Sequence, residues 1–139
     1  MKTNRVTLIT LGVKEIARAR AFYEAIGWVP SSTEDEMVVF YDMNGMKFGF
    51  YTLDGLAKDT RRDIADLKTG AMTLAQNFAT EAEVDDAFEK ALAAGATEVA
   101  RPEKVFWGGY SGYIADPDGH LWEYAMNPFW SLDDDGQLK

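Results

Sequence analysis

The spacing of apolar and polar positions changes several times along the chain, and each change marks an element. Val6 to Val13 (VTLITLGV) is apolar and β-branched, the composition of a strand with both faces partly covered. From Glu15 to Ile26 the spacing becomes helical, with Ile16, Ala19, Tyr23 and Ile26 on one stripe and Gly27 suited to the C-terminal stop. Met37 to Tyr41 and Lys47 to Leu53 read as paired strands turning at Asn44-Gly45, the strongest short hairpin signal in the chain. A second series follows: a strand over Met72 to Phe78, then a helix over Glu81 to Ala94 with Val84, Phe88, Ala91 and Leu92 inward. Gly95 marks its stop, and a hairpin of Tyr110 to Ala115 and Leu121 to Met126 closes around Asp116-Pro117-Asp118-Gly119. Between the two series, Gly55 to Lys68 carries Leu56, Ile64 and Leu67 among many charges and reads as a partly helical connector.

The two series repeat one another weakly. At one register Thr7-Leu8 falls on Thr73-Leu74, Glu15 on Glu81, Ala21-Phe22 on Ala87-Phe88 and Ala25 on Ala91; at a second, Asp42-Met43-Asn44-Gly45 falls on Asp116-Pro117-Asp118-Gly119. A small unit of this kind cannot bury its apolar face alone. The pattern therefore predicts an α+β fold of two tandem βαβββ units, about 5–53 and 71–127, joined by a connector at 54–70 into one domain. Their curved sheets are expected to enclose a shared cavity, with an acidic C-terminal tail outside the repeat.

Composition narrows the function. With 14 basic against 23 acidic residues the formal charge is −9, which repels phosphate backbones and argues against a nucleic-acid partner. No cysteine is present, which removes disulfides, thiolate nucleophiles and Cys-based metal sites, and one histidine leaves no mechanism needing two imidazoles. No apolar run is long enough for a bilayer, and Met1 to Arg5 lacks the apolar stretch of a signal peptide, so a cytoplasmic protein without a membrane partner is expected.

Two segments carry a family resemblance. Gly12-Val13, leading through Arg18-Ala19-Arg20-Ala21 to Phe22-Tyr23-Glu24-Ala25-Ile26-Gly27-Trp28, and Ala115-Asp116-Pro117-Asp118-Gly119-His120-Leu121-Trp122-Glu123, resemble the vicinal oxygen chelate superfamily of glyoxalases, bleomycin-resistance proteins and extradiol dioxygenases. The resemblance implies a mononuclear metal site in catalytic members, with a His or Gln on the first strand of each half and a carboxylate on the last strand of one or both. Carried onto this chain, those positions read Leu8, Leu74, Gly49 and Glu123, of which only Glu123 can coordinate. A shifted second half would offer Gln76, so any metal would rest on Glu123 with Gln76; no cofactor is expected, and a divalent metal is the alternative.

Glu123 has two readings: a strand carboxylate that is solvated or bonded to Thr or Gln, or a polar anchor or general base in an apolar pocket. Pairing across the Asp116–Gly119 turn is expected to set it opposite Gly112, whose missing side chain would leave space above the carboxylate. In Phe106-Trp107-Gly108-Gly109-Tyr110-Ser111-Gly112-Tyr113, Phe106 and Tyr113 read as core, while Trp107 and Tyr110 are candidates for a flat wall against which a planar ligand stacks. Thr10, Tyr51 and Gln76 complete the expected pocket by strand parity. His120, directly after a turn, reads as a solvated or turn-bonding residue, and Arg18, Arg20, Arg61 and Arg62 as surface charges.

Three functions remain in view. The first is a glyoxalase- or bleomycin-resistance-like protein that binds a small, partly aromatic or amphipathic molecule without a metal. The second is a metal-dependent lyase, isomerase or dioxygenase, and the third an interaction module. Whether a reaction is catalysed is left open. The resemblance also implies a homodimer, for which Trp28, Phe129 and Trp130 would suit an interface.

Overall fold

The computed structural model describes residues 1–32 and 35–139, and the chain divides into two compact units, 1–68 and 69–139. In the first unit, β1 (Leu8–Val13), α1 (Ile16–Ala25), β2 (Val38–Asp42) and β3 (Lys47–Thr52) form a three-stranded sheet in the order β1-β3-β2. β1 runs parallel to β3, and β2 antiparallel to it. In the second unit, β4 (Leu74–Asn77), α3 (Glu81–Ala93), β5 (Thr97–Lys104), β6 (Tyr110–Ala115) and β7 (Leu121–Met126) form a sheet in the order β4-β7-β6-β5. Both units thus follow one plan, with β1, β3 and β2 corresponding to β4, β7 and β6. The counterpart of β5 in the first unit is a single antiparallel bridge, Ser32 to Phe40.

The expected hairpin at Asn44-Gly45 is present. Both residues take positive φ (42° and 101°), which β-strand twist favours in a tight turn, and Met43 N–H donates to the Met46 carbonyl at 2.8 Å. β5 has no clear periodic signal: its TEVARPEK is almost wholly exposed, so nothing in its hydrophobicity distinguishes it from a loop. It is an edge strand with two register shifts against β6, charged and interrupted by Pro102, features that discourage edge-to-edge pairing.

Each helix covers one face of its own sheet. Under α1 lies an aromatic cluster: Tyr23 stacks on Phe50 with centroids 4.6 Å apart, and Phe48, Tyr41 and Trp28 close around it at 5.4–5.6 Å. Trp28, expected as an exposed interface residue, is instead part of this cluster, because the chain turns back after α1 with Trp28 N–H bonded to the Tyr23 carbonyl at 2.9 Å. Ile26 is only half-buried, and Phe22 takes its place on the buried stripe. α3 is capped by Thr80, whose Oγ1 accepts the Glu83 N–H at 3.1 Å, and it buries Val84, Phe88 and Ala91 with Ile114, Trp122 and Tyr124 in the core of the second unit.

The connector belongs to the first unit. α2 (Leu53–Thr60) starts directly after β3, with Gly55 N–H donating to Thr52 Oγ1 at 3.1 Å, and a 3-10 turn follows at Ile64–Asp66. It packs on the sheet face away from α1: a side chain at Gly12 would place Cβ 2.7 Å from Leu53 Cδ2 and 3.1 Å from Leu56 Cδ2. Only glycine lets the helix approach β1 there.

Tyr41 is 1% exposed, and its hydroxyl has no hydrogen-bond partner among the described residues. Burial pushes its pKa up to about 12, with Glu24 adding to the rise and Arg20 opposing it; burial alone does the same to Tyr124. The unfolded chain therefore loses these protons first, and the stability they contribute is present below pH 10 and lost as pH rises toward about 12. Tyr41→Phe is expected to leave urea stability unchanged or raise it by up to about 1 kcal/mol, because it removes an unpaired buried hydroxyl. It should also flatten the alkaline loss, whereas Phe50→Ala should cost about 3–5 kcal/mol. Urea titrations of the three proteins across the alkaline range check all of this.

Candidate functional site

Strand parity separates the residues of the second sheet cleanly. Trp122 and Tyr124 of β7 are buried on the α3 side, as is Ile114 of β6. Glu123 must therefore point to the other face, and its direct partners there are Tyr113 of β6 and Ala75 of β4. Glu123 is half-buried, flanked along its own strand by Leu121 and Ala125. Burial first, then the charge of the Glu123 carboxylate and hydrogen bonding to it, raise the Tyr113 pKa above the ordinary phenol value, so Tyr113 remains a neutral donor.

This pairing corrects the expected one by a residue. Glu123 faces Tyr113, and Gly112 faces Tyr124. The cause is the turn. Asp116, 3% exposed, accepts the N–H groups of Asp118 and His120, each at 2.9 Å, while its own N–H donates to the His120 carbonyl at 2.9 Å. Residues 116 to 120 thus all lie in the turn, and strand pairing resumes at Ala115 with Leu121. Through its backbone, His120 acts in the turn, as expected. Gly112 does not leave space above the carboxylate: a Cβ there would stand 2.7 Å from the Pro102 backbone nitrogen, so the glycine admits edge strand β5.

Other expected members of the site are placed differently. Gln76 pairs with Tyr124 and shares its face, and Phe78 two residues on has its ring 5.9 Å from that of Tyr124; Gln76 and Glu123 therefore lie on opposite faces of one sheet. Leu74, paired with Trp122, is likewise on the α3 face. By strand pairing the residue corresponding to Leu8 is Thr73, one position earlier than the sequence repeat indicates. Tyr110 reaches α3, its hydroxyl donating to Asp85 at 2.7 Å, and so forms no wall beside Glu123. Trp107 sits at the tip of the β5–β6 hairpin, in a turn closed by Val105 N–H to the Gly109 carbonyl at 2.9 Å; its ring lies over Gly109 and 6.4 Å from that of Phe129. Phe106, expected in the core, is fully exposed at the same tip. Tyr113, expected in the core, is the aromatic beside Glu123. The run Tyr110-Ser111-Gly112-Tyr113-Ile114 carries aromatic or small residues on both faces of β6, so its alternation alone does not reveal the parity.

In the first unit, Thr10 and Tyr51 do share a face, the one away from α1: Thr10 pairs with Gly49, and Tyr51 with Gly12. Tyr51 is engaged by α2, with its ring against Gly55 and its hydroxyl bonded to Asp59. Partial burial, then Asp59 and Asp35, raise its pKa. Phe40 pairs with Gly49, and its ring would be 3.1 Å from a Cβ there. Phe40 and Gly49 thus hold the places that Tyr113 and Glu123 hold in the second unit. The hairpin repeat gives no signal for Phe40, because five residues before Gly45 corresponds to Ile114, five before Gly119, and not to Tyr113.

The donor set does not fit a resident divalent metal. The positions the resemblance reserves for ligands hold Leu8 and Gly49 in the first unit, and Thr73 and Glu123 in the second. Among the described residues no three His, Cys, Asp or Glu side chains gather in one place.

Comparison with known proteins agrees with the fold. The chain belongs to the glyoxalase/bleomycin resistance protein/dioxygenase superfamily, whose family description matches residues 5–124. A glyoxalase-related enzyme from Fulvimarina pelagi is 35% identical, with a TM-score of 0.90 over 98% of this chain and 97% of that one. A glyoxalase/bleomycin resistance protein/dioxygenase family enzyme from Burkholderia phytofirmans shares the fold at 20% identity, with a TM-score of 0.76 over 86% of this chain and 96% of that one. An uncharacterised protein of Mycobacterium bovis is 49% identical over 47 residues, 34% of this chain and 31% of that protein's length. No helix of the described residues is long and apolar enough to cross a membrane.

The Tyr113 phenol provides a direct check on the site. Glu123→Gln removes the charge and leaves the burial, so the Tyr113 pKa is expected to fall part of the way toward the ordinary 10.0. NMR titration of ring-labelled tyrosines, with Tyr113→Phe assigning the resonance, reads the shift. An unchanged value would place Glu123 away from the phenol.

Proposed function

We propose that the protein binds a small, partly aromatic or amphipathic molecule, without a resident metal, on the sheet face that carries Glu123 and Tyr113. The observation that carries this reading is the Glu123–Tyr113 pair: the one carboxylate at the family's metal positions lies directly across from a phenol, with Ala75, Leu121 and Ala125 as its strand neighbours. Such a set anchors one polar group of a ligand and offers apolar contact to the rest. It gives a divalent cation a single carboxylate where several oxygen or nitrogen donors are needed.

A second reading has one specific support. The Fulvimarina pelagi protein, 35% identical over nearly the whole chain, is described as a glyoxalase-related enzyme. On that reading the chain is a lyase, isomerase or dioxygenase of the same superfamily. The two readings differ in metal content. Elemental analysis after gentle purification is expected to find well under one equivalent of Zn, Ni, Mn or Fe. Near-stoichiometric metal that Glu123→Gln removes would favour the enzyme. A thermal-shift screen of small aromatic compounds tests binding itself, since a ligand selective for the native state adds roughly 2.7 kcal/mol at a hundred times its Kd.

A further inference from the structure

We propose that the ligand of this face is an organic cation, an ammonium or guanidinium group on an apolar body, with Glu123 as its counter-ion and Tyr113 at its side. The inference rests on the binding function proposed above and names the chemical class of its ligand. It follows from where the charges of the second sheet lie. β4, β6 and β7 contain no Lys or Arg. The basic residues of β5 are Arg101 and Lys104. Arg101 is bonded to Glu98 at 2.5 Å and to Glu89 of α3, with its guanidinium 5.3 Å above the Phe88 ring, so it is spent on the α3 face. Lys104 pairs with Tyr110, which also turns to α3. The charged side chains left on the opposite face are Glu123 and, paired with Ser111, Glu103; both are acidic.

Glu123 is therefore a half-buried carboxylate whose partner is a neutral phenol and whose strand neighbours are Ala75, Leu121 and Ala125. The Tyr113 hydroxyl uses its proton on Glu123 and keeps oxygen lone pairs free to accept an N–H. A carboxylate with lone pairs left, a phenol oxygen beside it and an aromatic ring flanking both suit a group with several N–H donors and one positive charge. Ala75, which is exposed, and Ala125, which is buried, set no bulky side chain of this sheet next to the carboxylate. A divalent ion finds too few donors on this face of the sheet, and an anion meets there two acidic side chains and no basic one from the four strands.

The test uses the full chain and a matched pair of probes, benzylammonium and benzyl alcohol, titrated by two-dimensional NMR at low and high salt. Benzylammonium is expected to bind about tenfold or more tighter than benzyl alcohol, as a hydrogen bond gains when one partner is charged. The preference should shrink with salt and vanish in Glu123→Gln, with the largest shifts on β4, β6 and β7. Glu123→Gln is close to isosteric, and its amide spectrum reports whether it is folded; Tyr113→Phe should weaken benzylammonium binding while keeping the preference. Equal binding of the two probes, or a preference that survives Glu123→Gln, overturns the cation inference and leaves the binding function standing. If neither probe shifts these strands, while other aromatic compounds also fail, both fall together.

Discussion

The turn between β6 and β7 decides which side chains share a face in the candidate site. Three hydrogen bonds at Asp116 hold five residues, 116 to 120, outside the strand pairing. With that odd count, Ile114 and Trp122 can both face α3 while Tyr113 and Glu123 both face away. A turn one residue shorter would set Glu123 against Gly112 and force either the carboxylate or an aromatic core residue onto the wrong face, because parity in a strand leaves no intermediate. Burying Asp116 is tolerable because its carboxylate accepts two backbone N–H groups that would otherwise be orphaned in the turn.

The same hairpin in the first unit shows what happens without this constraint. Its turn holds four residues, 43 to 46, with Asp42 paired to Lys47. There the positions of phenol and carboxylate have become Phe40 and Gly49, with the phenylalanine ring lying over the glycine. The two repeats keep one backbone plan and one aromatic position but have parted in chemistry: one retains a charge, and the other has become apolar. The connector extends the difference. α2 occupies part of the first sheet's face through Gly12 and takes the Tyr51 hydroxyl for Asp59, so that the polar group expected to serve a ligand serves a helix.

Much of the fold was legible in the sequence because its signals are local. The helical stripe of Val84, Phe88 and Ala91, the Asn44-Gly45 turn and the closing strands over 110–115 and 121–126 each declare themselves within a dozen residues. The candidate site was legible only in part. Glu123 stood out as a lone carboxylate in an apolar strand, and Thr10 and Tyr51 shared a face as alternation requires. Trp107 was misplaced because it lies in the turn at the hairpin tip, and Gln76 and Tyr110 for a common reason. Their faces depend on registers set by distant pairing and by turn length, and the strands around them carry apolar residues on both sides. Edge strand β5 was missed because solvent covers almost all of it, which erases the alternation by which a half-buried strand is recognised.

The placement of charge connects fold and function. An acidic protein has many carboxylates to spend, and here most are exposed on helices, in turns or in surface ion pairs such as Lys47–Asp42 and Arg20–Glu24, where each pair contributes little. Glu123 differs in being set within a sheet, half-buried, beside a phenol that must itself remain protonated. Folding alone gives no reason to hold a carboxylate among alanines and a leucine when an apolar residue there would avoid its desolvation cost. The neutral Tyr113 hydroxyl offsets part of that cost but supplies no counter-charge. A positive group arriving from outside would complete the pair, and the sheet has already turned its own arginine to the opposite face.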